Sequence, residues 1–412
     1  MMTVYYLKTI YLTFITNNNR KNIKNTKAKK CGGVFILREI LVVFGGKSCE
    51  HDISIITGVL TANSIDKEKY SVRLVYINAQ GEWYSGEVLK NIEWYKKPNY
   101  KQVTKVTLLC GDNTLYKVVR GKLKKIASIS CCINCLHGIN GEDGTLQGII
   151  SSSDIAFASP ELFQSSFAID KDFTKIVLSG LRVPALPYVR ILKDCFFTKK
   201  DIAVKMVESK LKYPVIIKPA RLGSSIGIKI AKNSDELVDA LITAFSYDTK
   251  VIVERALTNF IEINCSAYKI KDEIFISELE RPFKKEEILS YSDKYLSQGD
   301  LPKKEFPAKI SDKLSSEIKK ITEKVYRKCC FTGIIRIDFL IDGEKVYLNE
   351  INTVPGSLAY YLHCLNTKEF SALLTKLIEN GVDIAIKNRA LKKSYSVGVL
   401  NVKGIKGSKK TL

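Results

Sequence analysis

The sequence predicts an α/β fold, and three observations support that class. Apolar runs of strand length alternate with stretches of helical periodicity along most of the chain, as in sheets whose strands are separated by helices. The run at 39–44 is almost wholly apolar, as expected of a buried parallel strand. Further along, two strand-like runs flank the turn at Asp342-Gly343. Together they predict a doubly wound N-terminal domain followed by further sheets.

The N-terminal domain is expected at 39–157. Its first strand ends at Gly45-Gly46, and a helical pattern runs from Ser48 to about Ile65. Strands are predicted again at 71–78 and 128–136, the second followed by a glycine-rich acidic loop and a helix from Thr145. Residues 85–130 are polar and irregular in pattern, and they give little basis for predicting elements.

The rest of the chain continues the alternation. Pro160, placed at a first helical position, predicts a helix that carries Asp170-Lys171 and runs to about Gly180. A polar stretch at 283–308 is long enough to predict a lid or a disordered loop. Further strands are predicted at 183–191, 213–220, 226–232, 251–257, 261–270 and 273–282, and helices at 201–211, 234–245, 311–330 and 369–390.

The hairpin at 333–356 carries the most chemistry. Alternate residues of a strand share a face, so Arg336 and Asp338 point one way, and Glu350 and Asn352 share a face of the second strand. Oxygen ligands suit Mg²⁺, and a guanidinium suits phosphate. The pattern therefore indicates a magnesium–nucleotide site; the alternative is a surface hairpin with a solvated charged face.

Two glycine-containing loops are candidates for ligand contacts. Residues 221–227 join two predicted strands and offer backbone N–H groups and hydroxyls to phosphates, with Lys218 close by; the alternative is an ordinary hairpin. The second loop, Gly45-Gly46-Lys47-Ser48, lacks the earlier glycine of a P-loop. It is better explained as a tight turn that places Glu50 in the first turn of a helix, facing either a ligand ammonium group or the helix dipole.

His137 stands at a predicted strand end, where ligands gather in open α/β sheets. A lone histidine is more often structural, and both explanations stay open. Cys131, Cys132 and Cys135 lack a second cluster with zinc-ligand spacing, so we interpret them as reduced core residues. Eleven cysteines in apolar contexts exclude a secreted disulfide scaffold and favour the cytoplasm.

The net charge of +22 suggests nucleic-acid binding at first sight. However, residues 1–31 carry seven basic side chains and residues 384–412 carry eight, and neither segment carries an acid. The body between them is only mildly basic, so we expect no nucleic-acid partner. No apolar run approaches the roughly 20 residues that span a membrane, so we expect no membrane partner either.

Seven blocks in this order resemble the D-alanine–D-alanine ligases, an ATP-grasp family: FGGKSCEHDIS, HGINGEDGTLQG, DKDFTK, VIIKPARLGSSIGI, SYSDKYL, GIIRIDFL and YLNEINTVPGS. The resemblance covers about 41–365, and EINCSA and PGSLAYYL are similar to a branch common in low-GC bacteria. It implies a cytoplasmic, homodimeric enzyme of three ATP-grasp domains that joins two D-alanines for peptidoglycan precursor synthesis. ATP and two Mg²⁺ ions are implied, with Mn²⁺ as a possible substitute.

The resemblance also implies domain limits. A central ATP-grasp domain is expected at 158–253 and a C-terminal one, with the lid loop 283–308, at 254–390. A basic, disordered extension at 1–38 and a basic tail at 391–412 lie outside it.

The resemblance assigns roles by position. Lys171, Lys218 and Lys294 match phosphate-contacting lysines, with Gly223 and Ser225 in the phosphate loop. Glu254, Arg255 and Leu257 match the adenine site, and Glu262 the ribose-binding acid. Asp338, Glu350 and Asn352 match magnesium ligands. Glu50, Ser224 and Tyr295 match a hydrogen-bonded set that holds the first D-alanine, beside His137. Arg336 and the backbone of Gly356 match an oxyanion-stabilising pair.

Three departures from the family pattern bear on these assignments. The spacing from Glu254 to Glu262 is one residue longer than in typical members, and Arg255 stands where many members have lysine. The serine that often meets the second substrate's carboxylate has no clear match, so Ser357 or Tyr361 is the candidate. The lid pair Lys294-Tyr295 resembles D-alanine-specific members; D-alanine–D-lactate and D-alanine–D-serine ligases, and an inactive binding module, are the alternatives.

Overall fold

A computed structural model describes residues 37–283 and 304–392, together with the two-residue strands β1 (Lys30–Cys31) and β2 (Val34–Phe35). Most of the predicted extension (1–38), of the predicted tail (391–412) and of the predicted lid, with Lys294 and Tyr295, lies outside the described residues; β1 and β2 pair with each other inside the extension. Three larger sheets follow one another along the chain. Among the described residues, no helix is both long and apolar enough to cross a bilayer.

The first sheet has the predicted parallel centre. Strand β3 (Arg38–Gly45) pairs in parallel with β4 (Tyr70–Ile77) and with β8 (Lys122–Asn134), and β8 pairs in parallel with β9 (Ala156–Phe157). Helix α1 (His51–Ser64) packs on β3, with its buried face against Phe44. Helix α2 (Thr145–Ser152) precedes β9. Because parallel strands end at the same edge, the loops after β3 and β8 come together there.

The sequence predicted little for residues 85–130, and their second half is regular. Strands β5 (Trp83–Ser85), β6 (Thr104–Leu109), β7 (Asp112–Val119) and the first half of β8 form an antiparallel meander. Its strands are partly exposed, so their sequence is polar. Its tight turns use Gly111 and Gly121, both with positive φ, a conformation that glycine adopts without steric cost. The segment before it holds short 3₁₀ turns at Glu87–Lys90, Ile92–Lys96 and Tyr100–Gln102.

The predicted helix from Pro160 to Gly180 is instead two helices, α3 (Leu162–Ile169) and α4 (Lys171–Gly180). The chain breaks at Asp170, whose side chain caps α4 by accepting from the N–H groups of Asp172 and Phe173. A capping aspartate satisfies N–H groups that have no partner within the helix. Helix α3 begins after Glu161, so Pro160 precedes the helix rather than starting it.

The second sheet is antiparallel in the order β10 (Tyr188–Leu192), β13 (Lys250–Arg255), β11 (Val215–Pro219), β12 (Lys229–Ala231). Of the predicted strand at 183–191, only the second half is regular. Three helices belong to this part of the chain: α5 (Lys193–Thr198), α6 (Lys200–Lys210) and α7 (Ser234–Ala244). Their apolar faces and the strands enclose a common core around Phe196 and Phe245.

The third sheet has the order β15 (Glu273–Ile276), β14 (Ile261–Ile270), β18 (Ile334–Asp342), β19 (Lys345–Asn352). A small ladder joins β16 (Arg281–Pro282) to β17 (Lys304–Glu305). Helices α8 (Asp312–Lys328) and α9 (Thr367–Arg389) complete this part. The predicted hairpin turn at Gly343 is confirmed, with a positive φ of 61°.

Candidate active site

One cavity of about 470 Å³ receives side chains from all three larger sheets. The loops after β3 and β8 form one wall, the loop between β11 and β12 a second, and the β18–β19 hairpin a third. Twelve predicted site residues line it: Glu50, His137, Lys171, Gly223, Ser224, Glu262, Arg336, Asp338, Glu350, Asn352, Gly356 and Tyr361.

The hairpin wall brings four polar side chains together. Arg336 pairs across the strands with Asn352, and Asp338 with Glu350. Arg336 Nε and Nη2 donate to the two Asp338 oxygens at 2.7 and 2.8 Å, and Asn352 Nδ2 lies 3.1 Å from Asp338 Oδ2. A fork-to-fork contact of this kind fixes both groups.

A β-bulge changes this wall in a way that strand alternation does not predict. The register shifts after Asp338, so that Phe339 faces Leu348 and Asn349 is the extra residue. A bulge re-aims the side chains beside it, and both Asn349 and Glu350 line the cavity. Asn349 Oδ1 accepts from Lys218 Nζ at 3.1 Å, which links the hairpin to the second sheet.

The donor set of the hairpin fits a hard divalent cation. Burial raises the pKa of the Asp338 carboxyl against the opposing effect of Arg336, and the Glu350 and Glu262 carboxylates add to the rise. A cation would relieve this crowding of negative charge, and oxygen donors suit Mg²⁺. Within the described ranges, no three His, Cys, Asp or Glu side chains are grouped to hold a metal. A site here therefore combines two carboxylates with the Asn352 amide.

Three lysines lie near the loop at 221–227 or near the Glu254 carboxylate. Lys171 Nζ donates to the Leu222 carbonyl at 2.6 Å and lies 3.7 Å from Glu350. Lys218 and Lys175 both pair with Glu254, Lys218 at 2.6 Å. Burial alone would raise the pKa of Glu254, but the two ammonium groups outweigh it and hold the pKa at about 2. Lys175 was not among the predicted site residues.

The loop at 221–227 contacts Glu50, which lies between β3 and α1. Ser224 donates to Glu50 Oε1 in a short hydrogen bond. A Cβ added to Gly223 would lie 3.1 Å from the same oxygen, so a side chain there would crowd the carboxylate. Ser224 and Ser225 both have left-handed backbones. Ser224 thus holds the Glu50 carboxylate at the cavity wall.

The loop after β8, at the same edge of the first sheet as Glu50, holds His137 and Glu142. Burial, aided by Arg336, lowers the pKa of His137 to about 4, so the ring is neutral at pH 7. Burial raises the pKa of Glu142 to about 7, and Glu50 adds to the rise. Glu142 accepts from the N–H groups of Gly138 at 3.0 Å and Val354 at 2.8 Å. The sequence did not single out Glu142, because its partner Val354 is 212 positions away.

The turn after β19 is strained. Ser357, Leu358 and Ala359 have φ values of 52°, 52° and 49°, in the left-handed region that costs non-glycine residues roughly 1–2 kcal/mol each. Gly356, immediately before them, lines the cavity, and a Cβ built on it would meet no atom within 4 Å. Strain of this kind persists only where surrounding contacts impose it.

Several predicted residues lie away from the cavity lining. Lys218 and Glu254 are buried behind it, and Arg255 is exposed with its guanidinium on Asp342 at 3.0 Å. Leu257, Ser225 and Ser357 are half-buried outside it. In contrast, Glu280 and Lys304 line the cavity without having been predicted. Lys304 Nζ lies 3.0 Å from Glu280 and 4.2 Å from the centre of the Tyr361 ring.

Comparison with known families matches two models to this chain. Residues 39–160 match "D-ala D-ala ligase N-terminus" and residues 177–380 match "D-ala D-ala ligase C-terminus". The chain belongs to the D-alanine–D-alanine ligase family. This ligase is 36% identical to the D-alanine–D-alanine ligase of Thermosipho melanesiensis, over 83% of this chain and 93% of that one. It is 31% identical to that of the low-GC bacterium Macrococcus caseolyticus, over 82% and 94%.

Solved structures agree with the family and confirm the fold class. The D-alanine–D-alanine ligase of Helicobacter pylori superposes with a TM-score of 0.68 and 29% identity, covering 83% of this ligase and 98% of that chain. The VanG D-Ala:D-Ser ligase of Enterococcus faecalis superposes with a TM-score of 0.71 and 27% identity, covering 84% and 100%. The fold alone therefore does not separate the two second substrates.

Proposed function

We propose that this enzyme joins two D-alanine molecules into D-alanyl-D-alanine with ATP, supplying a dipeptide for peptidoglycan precursors. The observation that carries the proposal is a single cavity shared by the Glu50–Ser224 pair and the carboxylates of the β18–β19 hairpin. Such a cavity can hold an amino acid against the phosphates of a nucleotide. Family membership supports the same reaction.

The chemistry follows from the weakness of a carboxylate as an electrophile. Transfer of the γ-phosphoryl group of ATP to the first D-alanine gives an acyl phosphate, and positioning with charge neutralisation provides most of the catalysis in such transfers. We assign phosphate contacts to Lys171, which lines the cavity, and to Lys218, which lies behind it. A divalent ion held by Asp338, Glu350 and Asn352 would neutralise phosphate charge; we propose two Mg²⁺ ions, replaceable by Mn²⁺.

The second step needs donors for an oxyanion. The amine of the second D-alanine attacks the acyl carbon, and a tetrahedral oxyanion develops. We assign its stabilisation to Arg336 and to the backbone N–H of Gly356, which border the same cavity. Tyr361, Lys304 and Ser357 are the candidates for the second carboxylate. Lys294 and Tyr295, outside the described residues, remain predicted lid contacts.

D-serine or D-lactate as the second substrate is the alternative. The similarity to a D-Ala:D-Ser ligase supports D-serine as the alternative second substrate, whereas the predicted lid pair Lys294-Tyr295 supports D-alanine. We also propose a homodimer and a cytoplasmic location, where ATP is available. The limits 39–157, 158–253 and 254–390 remain our proposed domains.

The test is ADP release from Mg-ATP by the purified protein with D-alanine, D-lactate and D-serine, singly and in pairs, with products identified by mass. We expect turnover with D-alanine alone and a D-alanyl-D-alanine product. Turnover only when D-serine or D-lactate accompanies D-alanine would transfer the proposal to the alternative substrate. No ADP release with any of them would overturn it.

A further inference from the structure

Three side chains hold the segment 353–357, which follows β19 of the third sheet. One comes from α1 and two from the loop after β8. Glu142 accepts from Val354 N at 2.8 Å and from Thr353 Oγ1 at 3.2 Å. The Thr57 hydroxyl accepts from Ser357 N at 3.0 Å and is also hydrogen-bonded to His137 Nε2 at 2.9 Å. The His137 ring is in turn bonded to the backbone of Val354. We call Thr57, His137 and Glu142 the clasp.

The clasp is polar, and two of its three side chains are buried. Thr57 is fully buried and His137 is only 5% exposed. A buried polar group left without a partner is costly, so each contact opposes movement of the segment it holds. The clasp joins residues some 200 to 300 positions apart in the chain.

The segment under the clasp is the one that needs external support. Ser357 begins the left-handed turn and its N–H is held by Thr57. Gly356, one residue earlier, presents its backbone to the cavity. Backbone strain at a ligand site persists when the surroundings over-determine it. The two clasp contacts at Val354 and Ser357 bracket Gly356 on both sides.

We propose that Thr57 and Glu142 are positioning residues that hold the Gly356 amide where the oxyanion of the second step forms. The inference rests on the proposed function, because it names the element that orients a group of the same reaction. It assigns to the first sheet a part in peptide-bond formation, separate from its contact with the first substrate through Glu50.

If the clasp is broken, we expect ATP hydrolysis to become uncoupled from dipeptide formation. In the normal step the amine nitrogen bonds to the acyl carbon, the carbon–oxygen bond to phosphate breaks, and inorganic phosphate and a proton leave. If the Gly356 amide is displaced, attack by the amine slows and the acyl phosphate survives longer. The acyl phosphate can then leave the cavity and be hydrolysed in bulk water, where Gly356 has no part, to D-alanine and phosphate, so ATP is spent without dipeptide.

The experiment compares Thr57→Val with Thr61→Val in the full-length enzyme. Both threonines are buried in α1 and lie one helical turn apart, but the Thr61 hydroxyl contacts Cys135 Sγ at 3.5 Å rather than the clasp. ADP and D-alanyl-D-alanine are quantified in the same reaction, with kcat and the KM for ATP. The ADP-to-dipeptide ratio does not depend on how much of a preparation is folded.

For Thr57→Val we expect kcat for dipeptide to fall on the order of 10- to 100-fold, with the KM for ATP unchanged and more than one ADP released for each dipeptide. Thr61→Val should retain the wild-type ratio. Glu142→Gln should shift the ratio in the same direction as Thr57→Val, because an NH₂ group, which cannot accept, replaces one of the two oxygens that accept from Gly138 and Val354.

A wild-type ratio in both Thr57→Val and Glu142→Gln would overturn the proposal, even if their rates fall, since a purely structural role lowers rate without uncoupling. An equal shift in Thr61→Val would overturn it as well. Failure of the wild-type enzyme to release ADP with D-alanine is a different result, and it would count against the proposed function instead.

Discussion

Two glutamates beside the candidate active site have pKa values shifted in opposite directions. Glu254, in the second sheet, has a pKa of about 2, and Glu142, in the loop after β8, has a pKa of about 7. Burial raises the pKa of both. Glu254 is compensated by the ammonium groups of Lys175 and Lys218, whereas Glu142 has neutral donors and faces Glu50. Burial acts on both glutamates in the same direction, so the difference between their pKa values comes from the charges of their neighbours.

The largest effect expected from this difference is on stability. Glu254→Gln would leave two ammonium groups buried without a counter-charge, since the side chains of Lys175 and Lys218 are 4% and 8% exposed. Breaking a buried pair of this kind costs about 3–5 kcal/mol. Urea unfolding at pH 7.5 measures it. Glu142→Gln is the matched control and should cost less, because its donors are uncharged; an equal loss in both variants would contradict the comparison.

Arg336 tests whether the cavity's charged groups act in catalysis as well as in structure. Removing an oxyanion donor costs on the order of 10²–10³ in rate. Arg336→Ala should therefore lose dipeptide formation while retaining ATP binding, measured by ADP release and by nucleotide titration. The substitution also frees Asp338 from its 2.7 and 2.8 Å contacts, so unfolding must be measured beside it. Unchanged dipeptide formation in Arg336→Ala would contradict the assignment of Arg336 as an oxyanion donor.

The pH dependence of stability sharpens the comparison. The pKa of Glu142 is raised on folding from 4.5 to about 7, so the folded state binds more protons than the unfolded state between those values. Stability from this group is therefore present at low pH and is lost as pH rises from about 4.5 to about 7. The pKa of Glu254 is lowered to about 2, so its stabilisation is lost only as pH falls from about 4.5 towards 2.

Urea unfolding of wild type and Glu142→Gln at pH 5 and pH 8 separates these cases. The difference in unfolding free energy between the two proteins should move by about 2–3 kcal/mol in favour of the variant at the higher pH. Glu254 should contribute no change over this range. A difference that is independent of pH would mean that the pKa of Glu142 is not raised by folding.

The sequence was informative where function depends on local periodicity. Strand alternation correctly brought Arg336, Asp338, Glu350 and Asn352 to one wall, as the register shows. Periodicity could not show the bulge at Asn349, because a bulge depends on the partner strand. It could not single out Glu142 or Lys175 either, since their partners Val354 and Glu254 are distant in sequence. The polar meander also escaped, because its strands are too exposed to form apolar runs.

The smallest effect on stability is expected at the exposed ion pair between Arg255 and Asp342. Arg255 and Asp342 lie 3.0 Å apart, but their side chains are 44% and 38% exposed, and such pairs contribute about 0–1 kcal/mol. Arg255→Ala should therefore change the unfolding free energy far less than Glu254→Gln, although the two residues are adjacent. If Arg255 also stacks on adenine, as the family resemblance implies, the KM for ATP should rise severalfold while stability is unchanged. Asp342→Ala is the control, because it breaks the same pair and leaves the guanidinium available to the base. Equal KM values in both variants would restrict Arg255 to the surface pair.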